Sequence, residues 1–209
     1  MLYSFVRAIL HGILRPYTRL TFEGKERVPA TGAFVLAPVH RSFADFALVA
    51  FATRRRMRFM AKDSLWNNKL LARFLDAVGA FPVHRGTVDR QTLRTSIEVL
   101  QGGEPLVIFP EGTRRSGPVV ENLFEGAAYV AARAGVPIVP VGIGGSERMM
   151  QKGKKLPRPT KVHIVIGEPI PPPASEGRAA RSAVHGVTER LEKEIQALFD
   201  AAQEKAGAA

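Results

Sequence analysis

The segment Glu104-Pro105-Leu106-Val107-Ile108-Phe109-Pro110-Glu111-Gly112-Thr113-Arg114 joins an apolar run to a charged turn. Its first half has the short, continuous apolar character of a strand buried on both faces. Pro110 and Gly112 end it, because proline brings no N–H to a ladder and glycine favours turns. Glu111 to Arg114 therefore belong to the loop leaving the carboxyl end of that strand. In open α/β sheets this is the edge along which ligands bind.

Working outward, strands are predicted near 19–23, 33–38, 57–61, 80–83, 105–109, 136–142 and 161–166, and helices near 43–53, 64–77, 88–101, 123–134 and 179–200. Strands alternating with helices of this length argue for an α/β fold: a mixed, largely parallel sheet flanked by helices. Residues 1–20 form an amphipathic, membrane-associating helical segment, 21–200 the α/β domain, and 201–209 a frayed tail. In the first of these, Leu2, Phe5, Val6, Ile9, Leu10, Ile13 and Leu14 share one stripe, Arg7, His11, Arg15 and Arg19 another, and Pro16 is expected to kink or end the helix.

A second loop of the same kind precedes the first. His40 closes the apolar run Ala33-Phe34-Val35-Leu36-Ala37-Pro38-Val39, and Asp45 follows five positions on. Ser42 and Asp45 have the spacing of a helix-capping pair, which starts the next helix at residue 43. Within one helix, residues five apart diverge by about 140°. With His40 in the loop above the first turn, its ring can fold back onto the Asp45 carboxylate. By spacing alone, Asp45 could equally serve only as a cap.

Composition narrows the chemistry. There are no cysteines, so disulfides and thiol catalysis are excluded. Thirty Lys and Arg against 19 Asp and Glu give a net charge of +11, which favours an anionic partner. Arg54, Arg55, Arg56, Arg58, Lys62, Lys69 and Arg73 interleave with Met57, Phe59, Met60, Leu65, Trp66, Leu70, Leu71 and Phe74. That mixture suits an anionic membrane surface better than nucleic acid, which is not an expected partner. A second basic cluster runs through Arg148, Lys152, Lys154, Lys155, Arg158 and Lys161. No metal site is expected, because His11, His163 and His185 lack ligand spacing. Ser146, in Gly144-Gly145-Ser146-Glu147-Arg148, lacks the elbow of a nucleophilic serine and reads as a loop residue.

Four blocks occur in order: HRSFAD (40–45), GAFPVHRG (79–86), FPEGTR (109–114) and VPIVPVGI (136–143). Together they resemble the blocks of the glycerolipid acyltransferases, the 1-acylglycerol-3-phosphate acyltransferases and their glycerol-3-phosphate relatives. The likeness spans about residues 20 to 170, and the third block is its most specific part. It implies transfer of a fatty acyl group from acyl-CoA or acyl carrier protein to the free hydroxyl of lysophosphatidic acid, with no cofactor. His40 would be the general base and Asp45 its orienting carboxylate, without an acyl-enzyme. Glu111, Gly112, Thr113 and Arg114 would bind the acceptor, Arg85 and Lys62 would add phosphate ligands, and Glu111 would bind a glycerol hydroxyl or fix Arg114.

The resemblance also implies a peripheral location on the cytoplasmic face of the cell membrane. Glycerol 3-phosphate or another lysolipid stays open as acceptor, and the charge alone would suit a nucleic-acid-binding protein. Phe43, Phe46, Leu48, Trp66 and Phe74 are candidates for the acyl path. The chain departs from the family in carrying Val39 where asparagine often precedes the histidine, and Arg115 before Ser116 where serine often follows the third block.

Overall fold

The computed structural model describes residues 2–83, 90–149, 158–173 and 179–208. Among them, seven strands form one sheet: β1 (Thr21–Glu23), β2 (Val35–Pro38), β3 (Arg58–Lys62), β4 (Ala80–Val83), β5 (Leu106–Val107), β6 (Ile138–Gly144) and β7 (His163–Ile166). Their spatial order is β1-β7-β6-β2-β5-β3-β4, and every neighbouring pair is parallel except β6–β7. The helices are α1 (Leu2–Thr18), α2 (Asp45–Val49), α3 (Lys69–Ala77), α4 (Arg90–Gln101), α5 (Gly126–Ala134), α6 (Ser146–Met149) and α7 (Ala179–Ala206).

β2, β5 and β6 are buried along their whole length, as a sheet covered on both faces requires. Phe34, Leu36, Leu48, Phe51, Ile138 and Phe199 form the centre of the core. Because β2, β5, β3 and β4 run parallel, their carboxyl ends share one edge. His40, the 109–114 loop and Lys62 thus lie in a row along it.

The helix expected over 43–53 is shorter, beginning only at Asp45. Residues 41 to 44 instead wrap around the Asp45 carboxylate, which accepts from the Arg41 and Ser42 amides. The expected helix 64–77 divides into a 3₁₀ turn, Asp63–Asn67, and α3. Asn68 separates them by accepting from the Leu70 and Leu71 amides, a standard N-cap. Pro16 does not stop α1, which continues to Thr18. Ser146 opens the short α6 rather than lying in a loop.

The last helix overruns its expected end at residue 200, and residues 201–206 of the expected frayed tail are helical. Two features hold it. Gly142 and Gly144, two residues apart on one face of β6, let the α7 backbone lie directly on the sheet. A Cβ at Gly142 would stand 2.2 Å from the Leu198 carbonyl, and one at Gly144 2.1 Å from that of Ala202. Beyond this contact Gly207, at φ +65°, turns the chain, with its N–H donating to Glu204 and that of Ala208 to Gln203. This is a Schellman stop. Arg148 donates to the Ala206 and Gly207 carbonyls.

Gly144→Ala drives a methyl group into backbone that cannot move aside. The expected cost is about 1–3 kcal/mol, or about 2–4 °C of Tm per kcal/mol at this chain length. Thermal unfolding by circular dichroism checks it, with Gly186→Ala as control because no atom lies near that site.

At the sheet edge Thr21 pairs in register with His163, and its Oγ1 lies 2.7 Å from His163 Nδ1. Burial, with Lys205 and Lys161 adding to it and Glu23 opposing, holds the His163 imidazole below its ordinary 6.5. The unfolded chain therefore takes up this proton more readily than the folded one. The contribution is full above about pH 6.5 and is lost as pH falls below it. Wild-type Tm should fall between pH 7.5 and 5.5, and His163→Gln should make that slope shallower.

Candidate active site

Glu111 is fully buried at the edge formed by the carboxyl ends of the parallel strands. Its Oε2 accepts the His40 backbone N–H at 2.6 Å, and its Oε1 is paired with Arg41 Nη1. The Arg41 guanidinium also donates through Nε to the Gly117 carbonyl (3.2 Å), through Nη2 to that of Val119 (3.0 Å) and through Nη1 to that of His40 (3.3 Å). One buried ion pair thus joins the loop after β2 to the loop after β5. The Arg115 N–H closes the join by donating to the His40 carbonyl at 3.0 Å.

His40 Nδ1 lies 3.0 Å from Asp45 Oδ2. That oxygen already accepts the Arg41 and Ser42 amides at 2.7 and 2.6 Å. A carboxylate offers only acceptors, so the ring must supply a donor, which places a proton on Nδ1 and leaves Nε2 as acceptor. Asp45 is thus both a turn-former and the partner of the imidazole. Phe109 flanks the imidazole at 4.1 Å between ring centroids, tilted 30°. The His40 side chain remains 13% exposed while that of Asp45 is fully buried.

Gly112 has φ +66°, and a Cβ there would meet the Phe124 ring at 2.7 Å. The turn thus requires glycine both for its backbone angle and for the aromatic lying over it. Thr113, Arg114 and Arg115 are exposed, and the Arg114 guanidinium stands 5.9 Å over the Phe43 ring. Lys62 is exposed at the end of β3, on the same edge but two strands from β2. Arg85 lies outside the described residues. The structure therefore brings His40, Asp45 and Glu111 into direct contact and seats Gly112, Thr113 and Arg114 in the adjoining loop. Glu111 engages Arg41 and His40, not Arg114.

A family model described as Acyltransferase matches residues 19–144, which contain all of these groups. The chain belongs to the acyltransferase family. It is 31% identical over 198 residues to a 1-acyl-sn-glycerol-3-phosphate acyltransferase of Bacillus subtilis, covering 94% of this chain and 96% of that one. A protein of the same name from Streptococcus pneumoniae is 30% identical over 174 residues, covering 81% of this chain and 63% of the other. The crystal structure of the 1-acyl-sn-glycerophosphate (LPA) acyltransferase PlsC from Thermotoga maritima superposes with a TM-score of 0.70 at 27% identity, covering 93% of this chain and 81% of that chain.

Within this acyltransferase, Arg41 is the site residue that sequence reasoning missed. Its one local signal was its place beside His40; its partner is 70 positions away. Val39, a departure from the family pattern, is buried in the core. Of the acyl-path candidates, Leu48 is a core residue with no exposure, whereas Phe43 and Phe46 are exposed and meet edge to face at 5.4 Å. Trp66 donates its indole N–H to Asp76.

Gly112→Ala places a side chain in left-handed backbone at a cost of about 1–2 kcal/mol and displaces Phe124. Acyl transfer should fall much further than in Gly186→Ala, where no atom lies near the added methyl group. Paired thiol-release and Tm measurements on the two variants check this.

Proposed function

We propose that this O-acyltransferase moves a fatty acyl group from acyl-CoA, or from acyl carrier protein, to the free hydroxyl of lysophosphatidic acid, giving phosphatidic acid for phospholipid synthesis. The observation that carries the reading is the His40–Asp45 pair, with Nδ1 committed to a buried carboxylate and Nε2 left as acceptor at a ligand-binding sheet edge. His40 Nε2 takes the proton of the acceptor hydroxyl as that oxygen attacks the thioester carbonyl. The C–S bond breaks, the thiolate leaves, and the proton held on His40 returns to it. Asp45 keeps the tautomer and stabilises the imidazolium, so no acyl-enzyme is needed.

Thr113 and Arg114 are exposed in the loop that Glu111 anchors, and Arg114 can grip a phosphate with two parallel hydrogen bonds. Lys62 and Arg85 complete the proposed phosphate ligands, and Gly112 shapes the turn. The reaction as written uses no cofactor or metal ion.

Membrane association is part of the same reading. Among the described residues no helix is long and apolar enough to cross a membrane. α1 meets the domain through polar groups near its start and through Leu14 and Tyr17, which pack against the core. Arg7 donates to the Ala50 and Thr53 carbonyls, His11 packs edge-on against Phe51, and Tyr3 accepts from the Met57 amide. Phe5, Ile9 and Ile13 are left facing outward, as are Leu70, Leu71 and Phe74 of α3. These faces, with Lys69 and Arg73, fit a peripheral position on an anionic, cytoplasmic-face bilayer, which also holds the lysolipid.

The test is thiol release from palmitoyl-CoA with and without lysophosphatidic acid. General-base catalysis contributes about 10²–10⁴-fold, so His40→Ala should lose at least about 10²-fold in kcat. Release that requires both acceptor and His40 supports the proposal; release that survives His40→Ala refutes the mechanism. Glycerol 3-phosphate and other lysolipids, run in parallel, decide the acceptor.

A further inference from the structure

We infer that Arg41 is a positioning residue for the reaction. Paired with Glu111, it sets the His40 imidazole against the acceptor loop, and Glu111 acts in catalysis through this pair rather than by holding the acceptor. The inference rests on the reading of His40 as general base.

Both Glu111 oxygens are engaged inside the protein, one by the His40 N–H and one by Arg41, and its side chain is buried. What keeps a substrate hydroxyl from Glu111 is this burial, its side chain being only 1% exposed. Arg41 is equally enclosed, and its guanidinium lies 4.9 Å over the Phe199 ring. It reaches carbonyls on both sides of the join, those of His40, Gly117 and Val119, while its own backbone N–H donates to Asp45 Oδ2. Residue 41 therefore touches Asp45 through its main chain, Glu111 through its side chain, and the far limb of the 109–120 loop through the same guanidinium. Lysine carries the charge but not the planar set of donors that this arrangement uses.

Such an arrangement changes turnover and not affinity. Misplacing a reacting group by about 1 Å costs on the order of 10²-fold in rate. A group that binds the acceptor equally in ground and transition states would instead raise KM and leave kcat unchanged.

The experiment compares wild type, Glu111→Gln, Arg41→Lys, His40→Ala and the double variant Arg41→Met/Glu111→Gln. The double variant removes both charges together and so avoids leaving one buried alone, while the side-chain carbonyl left by Glu111→Gln can still accept from the His40 amide. Three quantities are read on folded, monodisperse protein: kcat, KM for lysophosphatidic acid, and the proton resonance of the His40 Nδ1–H hydrogen-bonded to Asp45, identified by its absence from His40→Ala.

The expected result is a fall in kcat on the order of 10²-fold in Glu111→Gln and Arg41→Lys. Acceptor KM should stay within about twofold, and the His40 resonance should shift or broaden. The double variant should retain a wild-type circular dichroism spectrum yet show the same kinetic loss. A raised KM with wild-type kcat in Glu111→Gln would overturn the inference and return Glu111 to the acceptor. So would wild-type kcat and an unshifted resonance in the double variant. If His40→Ala keeps full activity, the general-base reading itself has failed, independently of what Arg41 does.

Discussion

The carboxylate of Glu111 is the interaction on which the rest of the site depends. It lies without solvent between a backbone N–H and a guanidinium that belong to the loop after β2. Burying a carboxylate is costly unless it is paired and hydrogen-bonded, as Glu111 is through both oxygens, and removing one partner of such a pair leaves a charge with no compensation. The cost of separating the loops after β2 and β5 is therefore high. Polar matching does here what hydrophobic packing does elsewhere in the domain, and it gives these loops one relative position.

The opposite regime holds under α7. There the sheet and helix meet without side chains between them, because Gly142 and Gly144 have none to interpose. This close approach places Phe199 in the core beneath Arg41, so the aromatic ring that bears on the guanidinium is delivered by the helix furthest along the chain. Gln196 of the same helix donates to the Pro118 carbonyl and accepts the Val120 N–H at 2.6 Å, holding the far limb of the 109–120 loop. Packing on the back of the sheet and geometry at its edge are thus coupled through α7.

Much of this was legible in the sequence, for identifiable reasons. The strand–loop reading of 104–114 held because a buried parallel strand and its stop signals are both local. The His40–Asp45 contact was legible because a histidine in the loop just before a helix can fold its ring back onto a carboxylate in the first turn. What stayed hidden depended on distant partners. Arg41 looked like one more cation of a basic protein, since nothing near it in the chain shows that Glu111 will meet it. The brevity of α2 was hidden because its capping pair was read as starting a helix and not as closing a turn around Asp45. The length of α7 was missed although Lys205 and Gly207 form an ordinary helix ending: an alanine-rich tail carries no periodic apolar signal, and its packing partner is a pair of glycines.

Between Glu111 and Val120 the main chain is tied at Gly112, Arg115, Gly117, Val119 and Val120, yet the side chains of residues 113 to 116 all face outward. Scaffold and chemistry are separable there. Substitutions at Thr113, Arg114, Arg115 and Ser116 can change what the loop greets without disturbing how the imidazole is held. Four neighbouring side chains on one pinned stretch of main chain can therefore be exchanged independently of the core that holds the imidazole.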